Sequence, residues 1–327
     1  MQEKVDLSYG SGGKQTSELI QSFFMEEYGN EILGKMEDAA VLDVEKKIAY
    51  TTDSFVVTPL FFPGGDIGKL AICGTVNDLS MMGAIPKYLT AGFILETGAS
   101  MEDLRKIAKT MGKVAKEAGV QIVAGDTKVV EGSGNIYINT SGIGFIQQAG
   151  ISIHHCKIGD SVIISGNLGE HHAAILSKRM GIENQIISDC APLCHMTKAL
   201  MDGEIELHCM RDVTRGGLAT VLNEIAESST CRVQIKETEI PVSIPVKGFC
   251  EILGLDPIYM ANEGKMVVIV PKIQEQRTLE ILKKFSYGKD AQVIGEIVPG
   301  KGVVMETKLG GLRTIDILYG EGLPRIC

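Results

Sequence analysis

The sequence contains no run rich in lysine or arginine, no signal-peptide core and no long apolar stretch. Its formal net charge is −9 at pH 7 and its pI is about 5.3, which disfavours binding to nucleic acid or to anionic membranes. The stretch 266–270, MVVIV, is typical of its longest apolar runs, whereas a membrane span needs about 20 apolar residues. The first residues, MQEKVD, are polar and lack the apolar centre of a secretory signal. We therefore expect a cytoplasmic protein.

The eight cysteines show the spacing of neither a disulfide framework nor a zinc site. They are scattered irregularly along 327 residues, a pattern that in a chain of this size is typical of reduced thiols. Cys190 and Cys194 are the closest pair in sequence, but no second pair and no matching histidine spacing completes a four-ligand zinc set. The cysteines therefore agree with a cytoplasmic location.

Length and patterning predict two domains of the α+β class. A chain of 327 residues with 44% hydrophobic content can bury two cores. Each half repeats a rhythm of strand, glycine-rich acidic turn, helix and further strands, which predicts mixed sheets flanked by helices. We place the domains at residues 1–150 and 151–318, with a flexible tail at 319–327.

Two helices are expected in the first half. Ser100 and Asp103 form a capping box for the clearer one, which ends at Gly119. The other spans about 67–82 with an apolar stripe, and Asn77 and Asp78 lie inside it. Because both are poor helix formers, either a solvated face or a ligand must account for them.

Four aspartates stand beside small residues at strand ends or in a polar notch of a helix: Asp38, Asp53, Asp78 and Asp126. Bringing four carboxylates together is unfavourable unless cations offset their charge. Mg²⁺ takes oxygen ligands, keeps several waters and bridges carboxylates to phosphates, and the set lacks the thiolate and imidazole ligands typical of zinc. The sequence therefore supports an ATP·Mg²⁺ site, with scattered surface acids as the alternative.

Two lysines are candidates for neutralising the phosphates. Lys14 ends the glycine-rich segment GSGGK, but Gln15 stands where the P-loop template has Ser or Thr, so a phosphate loop and a flexible linker both remain open. Lys128 closes the segment GDTK, which follows a strand predicted at 120–124. That segment would put a carboxylate and an ammonium at the edge of a sheet, where ligands of α/β folds bind.

The second half contains further glycine-rich loops that run into helices, and such loops are ready-made anion sites. Residues 211–217, RDVTRGG, begin one helix, and residues 262–265, NEGK, precede a strand. His171 and His172 follow another such loop. Because they are consecutive, they cannot share one helix face as metal ligands, so we expect surface histidines.

The chain ends with a thiol on its last residue, Cys327, in the sequence GLPRIC. Pro324 fixes its own φ and biases Leu323 towards extended backbone. From about Gly320 the arm can sweep roughly 20–25 Å at ~3.3–3.6 Å per residue. A frayed terminus is the alternative. We do not expect a prenylation box here, because such a box needs three residues after the cysteine.

Several segments together resemble the HypE family of hydrogenase maturation factors. They are GSGGK, EDAAVL, TTDSFVV, LFFPGGDIGKLAICGTVNDLSMMGAIP, GDTKVV, RDVTRGGL, ANEGK and the ending LPRIC. GTVND and GDTK are shared with a wider PurM-like superfamily of ATP-using enzymes that includes aminoimidazole ribonucleotide synthetase, selenophosphate synthetase and thiamine-monophosphate kinase. The ending PRIC is what points to HypE. The resemblance covers essentially the whole chain and departs at His171 and His172, where the family more often shows an acidic residue, His and Gly.

The resemblance implies a PurM-like fold and an ATP-dependent carbamoyl dehydratase that forms homodimers through its first domains. A HypF-type carbamoyltransferase would load a carbamoyl group onto Cys327, and ATP would drive its dehydration to a thiocyanate. Glu263 would be the base, and Lys128 would hold the carbamoyl oxygen. The cyanide ligand would then reach the iron of a NiFe hydrogenase through HypC and HypD. An enzyme of the same superfamily that acts on a small diffusible substrate is the alternative.

The expected site residues form three groups. The catalytic group is Cys327, Glu263 and Lys128. The ATP-binding group is Gly12, Gly13, Lys14, Asp53, Asn77, Asp126 and Thr127. The Mg²⁺-binding group is Asp38, Asp53, Asp78 and Asp126.

Overall fold

The computed structural model describes residues 19–30 and 47–317. The expectations for Gly12, Gly13, Lys14, Asp38 and Cys327 lie outside these described ranges and stay predictions. A π-helical turn, Ile20–Met25, continues into a short helix, Glu26–Tyr28. No helix within the described ranges is long and apolar enough to cross a membrane.

The first sheet has four strands in the order β1-β6-β4-β5. These strands are β1, Ile48–Phe55; β4, Ala84–Glu96; β5, Gln121–Val130; and β6, Ile136–Ile146. Strands β4 and β5 run parallel, and the other pairs are antiparallel. A two-stranded ribbon, β2 (Phe61–Phe62) with β3 (Gly65–Asp66), precedes the first long helix.

Two helices, α1 (Ile67–Met81) and α2 (Met101–Ala118), cover one face of this sheet and confirm the two predicted helices. Ser100 caps α2 by accepting a hydrogen bond from the Asp103 N–H at 3.2 Å. The opposite side, which we call the open face, carries exposed apolar side chains. They are Ile48, Tyr50, Val56, Ile94 and Val130.

Helix α1 is buried on nearly all sides, since 13 of its 15 residues are buried. It packs against β1 and β6 on one side and against the second domain on the other. The residues of the predicted apolar stripe are buried except Met82, and most other residues of the helix are buried as well because two layers cover it. Met82, which follows the helix, is 48% exposed.

The second sheet has seven strands in the order β13-β12-β9-β11-β7-β10-β8. They are β7, Asp160–Ile164; β8, Cys209–Asp212; β9, Arg232–Lys236; β10, Met266–Pro271; β11, Gln292–Val298; β12, Gly302–Glu306; and β13, Leu312–Ile315. Only the β12–β9 pair among these is parallel. Residues 147–159, where the sequence analysis places the domain boundary, connect the two sheets.

Helices cover both faces of the second sheet. They are α4, Cys194–Asp202, and α7, Glu275–Leu282, on one face and α5, Gly217–Ser228, on the other. Two further helices, α3, Glu170–Met180, and α6, Ile244–Leu253, pack against each other in a separate cluster. On β7, Val162 and Ile164 join the core around α5, while Ile163 joins the core around α4 and α7. Burial on both faces explains why β7 and β10 read as continuous apolar runs rather than as alternating ones.

Strand β5 extends beyond its predicted end. It runs through Gly125, Asp126, Thr127 and Lys128 to Val130, so the GDTK segment is not a loop at a strand terminus. Pairing with β4 carries the backbone onward, with Gly92 opposite Asp126 and Ile94 opposite Lys128. Successive side chains of the segment therefore point to opposite faces of the sheet.

The prediction of surface histidines is wrong, because both lie in the buried first turn of α3. His171 is 0% and His172 4% exposed. The Nδ1 atom of His171 is 2.7 Å from Ser188 Oγ, and its ring packs edge-on against Phe62. Burial lowers the pKa of each histidine to about 4, so both rings are neutral at pH 7. They are buried because α3 packs against the ribbon β2–β3 and against the loop that contains Ser188. The sequence around the histidines does not reveal these long-range contacts.

Buried neutral histidines predict a loss of stability in mild acid. Their folded-state pKa lies below the unfolded value of about 6.5, so the unfolded chain binds more protons between pH 6.5 and 4. Relative to pH 7.5, each histidine should lower the free energy of unfolding by about 2 kcal/mol at pH 5. Urea unfolding midpoints at the two pH values measure this loss.

The variant His171→Asn keeps a polar group near Ser188 but cannot take up that proton. It should be less stable than the parent at pH 7.5 and should lose less stability on going to pH 5. An equal pH-dependent loss in parent and variant would show that His171 does not titrate in this way.

Candidate active site at the domain junction

A cleft of about 480 Å³ lies where the two domains meet, along the outer edge of β1; we call it the junction cleft. Residues of β1 and α1 form its first-domain side. Its second-domain side is formed by residues 211, 212, 214, 215 and 263. Both domains therefore contribute polar side chains to one space.

Four carboxyl groups line the junction cleft: Asp53, Asp78, Asp212 and Glu263. Burial, reinforced by the charge of Asp78, raises the pKa of Asp53 to about 6. Burial also raises the pKa of Asp212 to about 7, and Asp78 and Asp53 add to that shift. The pKa of Glu263 rises well above its ordinary value, chiefly through burial. The cleft thus holds like charges that favour a bound cation.

Local structure explains how Asp53 and Asp78 meet. On β1, Thr51, Asp53 and Phe55 are half-buried, while the intervening residues are exposed on the open face. Asp78 faces β1 from α1 and accepts a hydrogen bond from Thr51 Oγ1 at 2.9 Å. The alternation of β1 therefore turns Asp53 towards the helix that carries Asp78.

Asp212 reaches the cleft as the last residue of β8. The turn that follows ends on two glycines, Gly216 and Gly217, with φ of 75° and 64°, a region that favours glycine. A Cβ on Gly217 would lie 2.6 Å from the Ile258 carbonyl oxygen. These glycines let the chain leave the strand and enter α5 directly, with Arg215 remaining in the cleft.

Two arginines bring positive charge to the same cleft. Arg211 donates from Nη2 to Glu224 Oε2 at 2.8 Å, but its Nε–H is buried and has no hydrogen-bond partner among the described residues. The Arg215 charge lowers the pKa of Asp53, against the larger upward effect of burial. A buried N–H without an acceptor is unfavourable, and a phosphate oxygen is a strong acceptor for arginine. The cleft therefore suits a phosphate group.

The donor set also suits Mg²⁺. Within the described ranges, no three acidic, cysteine or histidine side chains converge closely enough to hold a metal by themselves. Protein sites for Mg²⁺ often use only one or two carboxylates together with waters and substrate phosphates. The adjacent pair Asp53 and Asp78 fits that pattern, and Asp212 adds negative charge beside it.

Asp126 and Lys128 lie elsewhere in this chain. Their side chains form an ion pair at 2.8 Å and are 66% and 63% exposed. Asp126 shares the open face with Gly92, Asn139 and Ser54, which occupy one row across the sheet. That row spans three strand spacings, about 14 Å, and Asp53 points to the other face. One chain therefore does not bring Asp126 or Lys128 to the carboxylates of the junction cleft.

Thr127 and Asn77 also face away from the junction cleft. Thr127 is 7% exposed and its side chain points to the helix-covered face of β5. Asn77 is 2% exposed, and its amide bonds to the backbone of the second domain. As direct contacts to ATP these two residues stay predictions.

Arg211, Asp212 and Arg215 line the cleft but were not among the site residues predicted from the sequence. Their segment, RDVTRGG, was predicted only as one of the glycine-rich loops that run into a helix and can bind an anion. A carboxylate and two arginines at the end of a strand, before a glycine-rich turn, were the available signal. What the pattern could not show was that β8 lies at the sheet edge next to α1.

Comparison with known protein families first shows the class of protein to which the chain belongs. The family model "AIR synthase related protein, N-terminal domain" matches residues 36–146, and "AIR synthase related protein, C-terminal domain" matches residues 157–308. Together they span most of the chain, which is therefore a two-domain, PurM-like protein of the AIR synthase related class. The predicted fold class is confirmed.

Closer relatives define the family. The carbamoyl dehydratase HypE of Escherichia coli (strain K12) is 43% identical over 337 residues, covering 99% of each chain. A crystal structure of the hydrogenase maturation protein HypE in complex with ATP matches with a TM-score of 0.95 and 46% identity, covering 98% of this chain and 99% of that one. A HypE chain from a HypE–HypF complex matches with a TM-score of 0.80 and 50% identity, covering 92% and 99%. The chain belongs to the HypE family of carbamoyl dehydratases.

The position of Asp212 predicts a role in nucleotide binding. Asp212→Asn removes an ionisable carboxyl group that a bound cation would hold in its charged form, so Mg²⁺-dependent ATP affinity should fall about 10–100-fold, as for other partners of metal ligands. Calorimetric titration with Mg·ATP measures the change. Asp316→Asn alters an exposed aspartate outside the cleft and is the matched control. Equal affinities of Asp212→Asn and parent would remove Asp212 from the site.

Proposed function

We propose that this protein dehydrates a carbamoyl group carried on its own Cys327 thiol, at the expense of ATP, to give a thiocyanate. The observation that carries the proposal is the buried carboxyl group of Glu263 beside the Asp53–Asp78 pair in the junction cleft. A base and a phosphate-binding environment therefore share one space. Family membership and a relative's structure with ATP support the same reading.

The overall reaction consumes the thiocarbamate and ATP and yields the thiocyanate, ADP and phosphate. The carbamoyl oxygen attacks the γ-phosphorus of ATP and ADP leaves, so that the oxygen departs later as phosphate instead of hydroxide. Both protons on the carbamoyl nitrogen must be removed as the C–N bond becomes a triple bond. Cys327 keeps its C–S bond throughout, and the nitrile remains on sulfur.

Glu263 is the proposed base for the nitrogen protons. Its carboxyl group is 9% exposed, and burial raises its pKa well above the ordinary value. A carboxylate with a raised pKa is the stronger base once it has lost its own proton. The residue lies on the second-domain side of the cleft, opposite Asp53 and Asp78, so it can act on a group held over the phosphate.

Asp53 and Asp78 would hold Mg²⁺, with Asp38 and Asp126 as the further metal ligands proposed from the sequence. When bound, the ion neutralises phosphate charge and stabilises charge that develops on the transferring group. Arg211 and Arg215 contribute positive charge from the second domain. The modified tail would fill the cleft and exclude water from a phosphorylated group that otherwise hydrolyses.

The proposed partners follow from the need to load and unload the tail. A solved complex joins a relative to HypF, and we propose that a HypF-type carbamoyltransferase loads Cys327 here. HypC and HypD are the proposed acceptors that carry the nitrile to iron. These exchanges would take place in the cytoplasm, where the free thiols stay reduced.

A superfamily enzyme with a small diffusible substrate is the second candidate. Thiamine-monophosphate kinases share this fold, for example with a TM-score of 0.66 at 20% identity. Deleting Cys327 separates the two functions, because an enzyme with a diffusible substrate would keep its full turnover.

The tail thiol as carrier predicts one chemical outcome. Incubated with a HypF-type transferase, carbamoyl phosphate and ATP, the parent chain should gain a carbamoyl group and then lose one water, as followed by intact-mass spectrometry. Cys327→Ser should show neither a stable load nor the dehydrated product, because the sulfur nucleophile is gone. A dehydrated product on Cys327→Ser would rule out this carrier.

Appending two glycines after Cys327 tests whether the tail must dock at a fixed length. The extension should abolish dehydration, because the carbamoyl group is then misplaced, while Mg·ATP affinity stays close to that of the parent. If the extended chain, once carbamoylated, still lost water at the parent rate, the docked-tail mechanism would be wrong.

We also propose a homodimer formed through the open face of the first sheet. The support is the set of exposed apolar side chains on that face, among them Tyr50 at 66%, Val56 at 46% and Ile94 at 45% exposure. Asp126 and Lys128 lie on the same face. If a partner chain packs on this face, Asp126 and Lys128 of one protomer can approach the junction cleft of the other. Within one chain the sheet separates these two residues from the cleft.

The dimer predicts concentration-dependent sedimentation that depends on the open face. Ile94→Lys should shift the micromolar protein towards monomer, because it puts a charge into an apolar contact. Ile273→Lys is the matched control, since Ile273 is 92% exposed in the second domain, away from the first sheet. A parent protein that sediments only as monomer at micromolar concentration would contradict the proposal.

A further inference from the structure

We infer that Asp189 and Asn77 are positioning residues that fix the backbone of Glu263, so that the base of the second domain is held in register with the carboxylates of the first. The inference rests on the proposed role of Glu263 as the base. It names two residues outside the lining of the junction cleft, neither of which can touch the reacting group.

Asp189 binds the backbone N–H groups of Glu263 and of the residue that follows it. Its two carboxylate oxygens accept from consecutive N–H groups, Oδ1 from Glu263 at 3.2 Å and Oδ2 from Gly264 at 3.1 Å. The side chain of Asp189 is 0% exposed, and Lys265 Nζ lies 3.3 Å from Oδ2. A buried carboxylate is favourable only when it is fully paired. Here the pairing is with the three-residue segment that contains Glu263.

The carbonyl of Glu263 is held from the opposite direction. It accepts from the Ala191 N–H at 3.2 Å and from the Asn77 side-chain amide at 3.4 Å. With its N–H bound to Asp189, both backbone groups of Glu263 are engaged outside any regular strand or helix. Such double engagement restricts φ and ψ of the residue that must aim the base.

Asn77 supplies this restraint from the other domain. Its Nδ2 donates to the Ala191 carbonyl at 3.1 Å, and its Oδ1 accepts from the Leu193 N–H at 2.8 Å. Asp78, its neighbour on α1, belongs to the carboxylate cluster of the cleft. A single helical turn thus carries one residue that faces the phosphate-binding side and one that grips the loop beside the base.

Close packing adds to the restraint that Asp189 and Asn77 place on Glu263. A Cβ added to Gly264 would lie 1.9 Å from the Asp189 carbonyl oxygen. Any larger residue at 264 must therefore push the backbone at Asp189 away from Glu263. The alternative is that Asn77 and Asp189 only hold the two domains together. The two roles differ in one respect: positioning acts on the rate through Glu263, whereas general stability acts on the whole chain.

A double-mutant cycle on dehydration separates these roles. The chain, carbamoylated on Cys327, is given saturating Mg·ATP, and loss of water is followed by intact mass over hours. Asp189→Asn and Asn77→Ala should each slow dehydration at saturating Mg·ATP about 10–100-fold, the penalty for a displaced catalytic group, and Asp189→Asn should keep Mg·ATP affinity within about twofold of the parent. In the Glu263→Gln background the same changes should cost nothing further, because a residue that acts through Glu263 has no effect once the base is gone.

Gly264→Ala is the second test of position, because it removes no hydrogen-bonding group. It should slow dehydration in the parent and have no effect in the Glu263→Gln background. Asn223→Ala is the matched control: that asparagine bonds Ala219 and Ile315 carbonyls within the second domain, and its loss should leave the dehydration rate unchanged.

The outcomes are distinct. Rate losses that multiply in the Glu263→Gln background, or parent-like rates in Asp189→Asn and Asn77→Ala, would overturn the positioning role while leaving Glu263 as the base. A parent-like rate in Glu263→Gln alone would overturn the base assignment itself, and with it this inference.

Discussion

Helix α1 has almost no surface in contact with solvent, so each polar group on it needs a partner in one of the two domains. Thr75 bonds Thr140 of β6, Asp78 accepts from Thr51 of β1, and Asn77 bonds the loop beside Glu263. The position of each residue on the helix decides which domain its side chain faces. Pairing of these buried groups fixes the helix against the first sheet and the second domain at once. The shape of the junction cleft depends on that double attachment.

The same constraint accounts for the electrostatics of the cleft. Asp53 and Asp78 come from the first domain, and Asp212 and Glu263 from the second, so the two pairs of carboxyl groups meet only because the domains are held together. Burial and mutual repulsion raise the pKa values of Asp53, Asp212 and Glu263. When substrate is bound, its cation would offset the repulsion between these carboxylates, and its phosphate groups would accept hydrogen bonds from the arginines. A cleft lined in this way favours a ligand that carries a cation, as a magnesium nucleotide does.

The sequence was a good guide where local rules decide. The capping box at Ser100 and the period of α2 are local features, and the structure has the helix where they predict it. Asp53 and Asp78 were grouped from the sequence because one was expected at a strand end and the other in a polar notch of a helix. The structure places Asp53 within β1, and both side chains line the junction cleft because α1 packs against β1.

Long-range packing decided the rest. His171 and His172 read as surface residues, yet they are buried because the β2–β3 ribbon and the 188 loop cover α3. Asp126 and Lys128 read as part of the cluster, but strand β5 continues through them, and side-chain alternation turns both to the open face. Asp212 was overlooked because only the order of the second sheet puts β8 next to α1. No residue spacing along the chain encodes these neighbours.

Asn77 shows why a polar residue inside an apolar helix has more than two explanations. A solvated face and a ligand were the alternatives from sequence, and the structure adds bonds from the buried amide to backbone groups of the second domain. A side-chain amide both donates and accepts, so it can bind a backbone segment that no helix or strand satisfies. The 189–193 loop and the Glu263 carbonyl need such a partner because they lie between regular elements. At this domain junction one side-chain amide therefore binds three backbone groups of the second domain, and its partners become evident only when both domains are seen together.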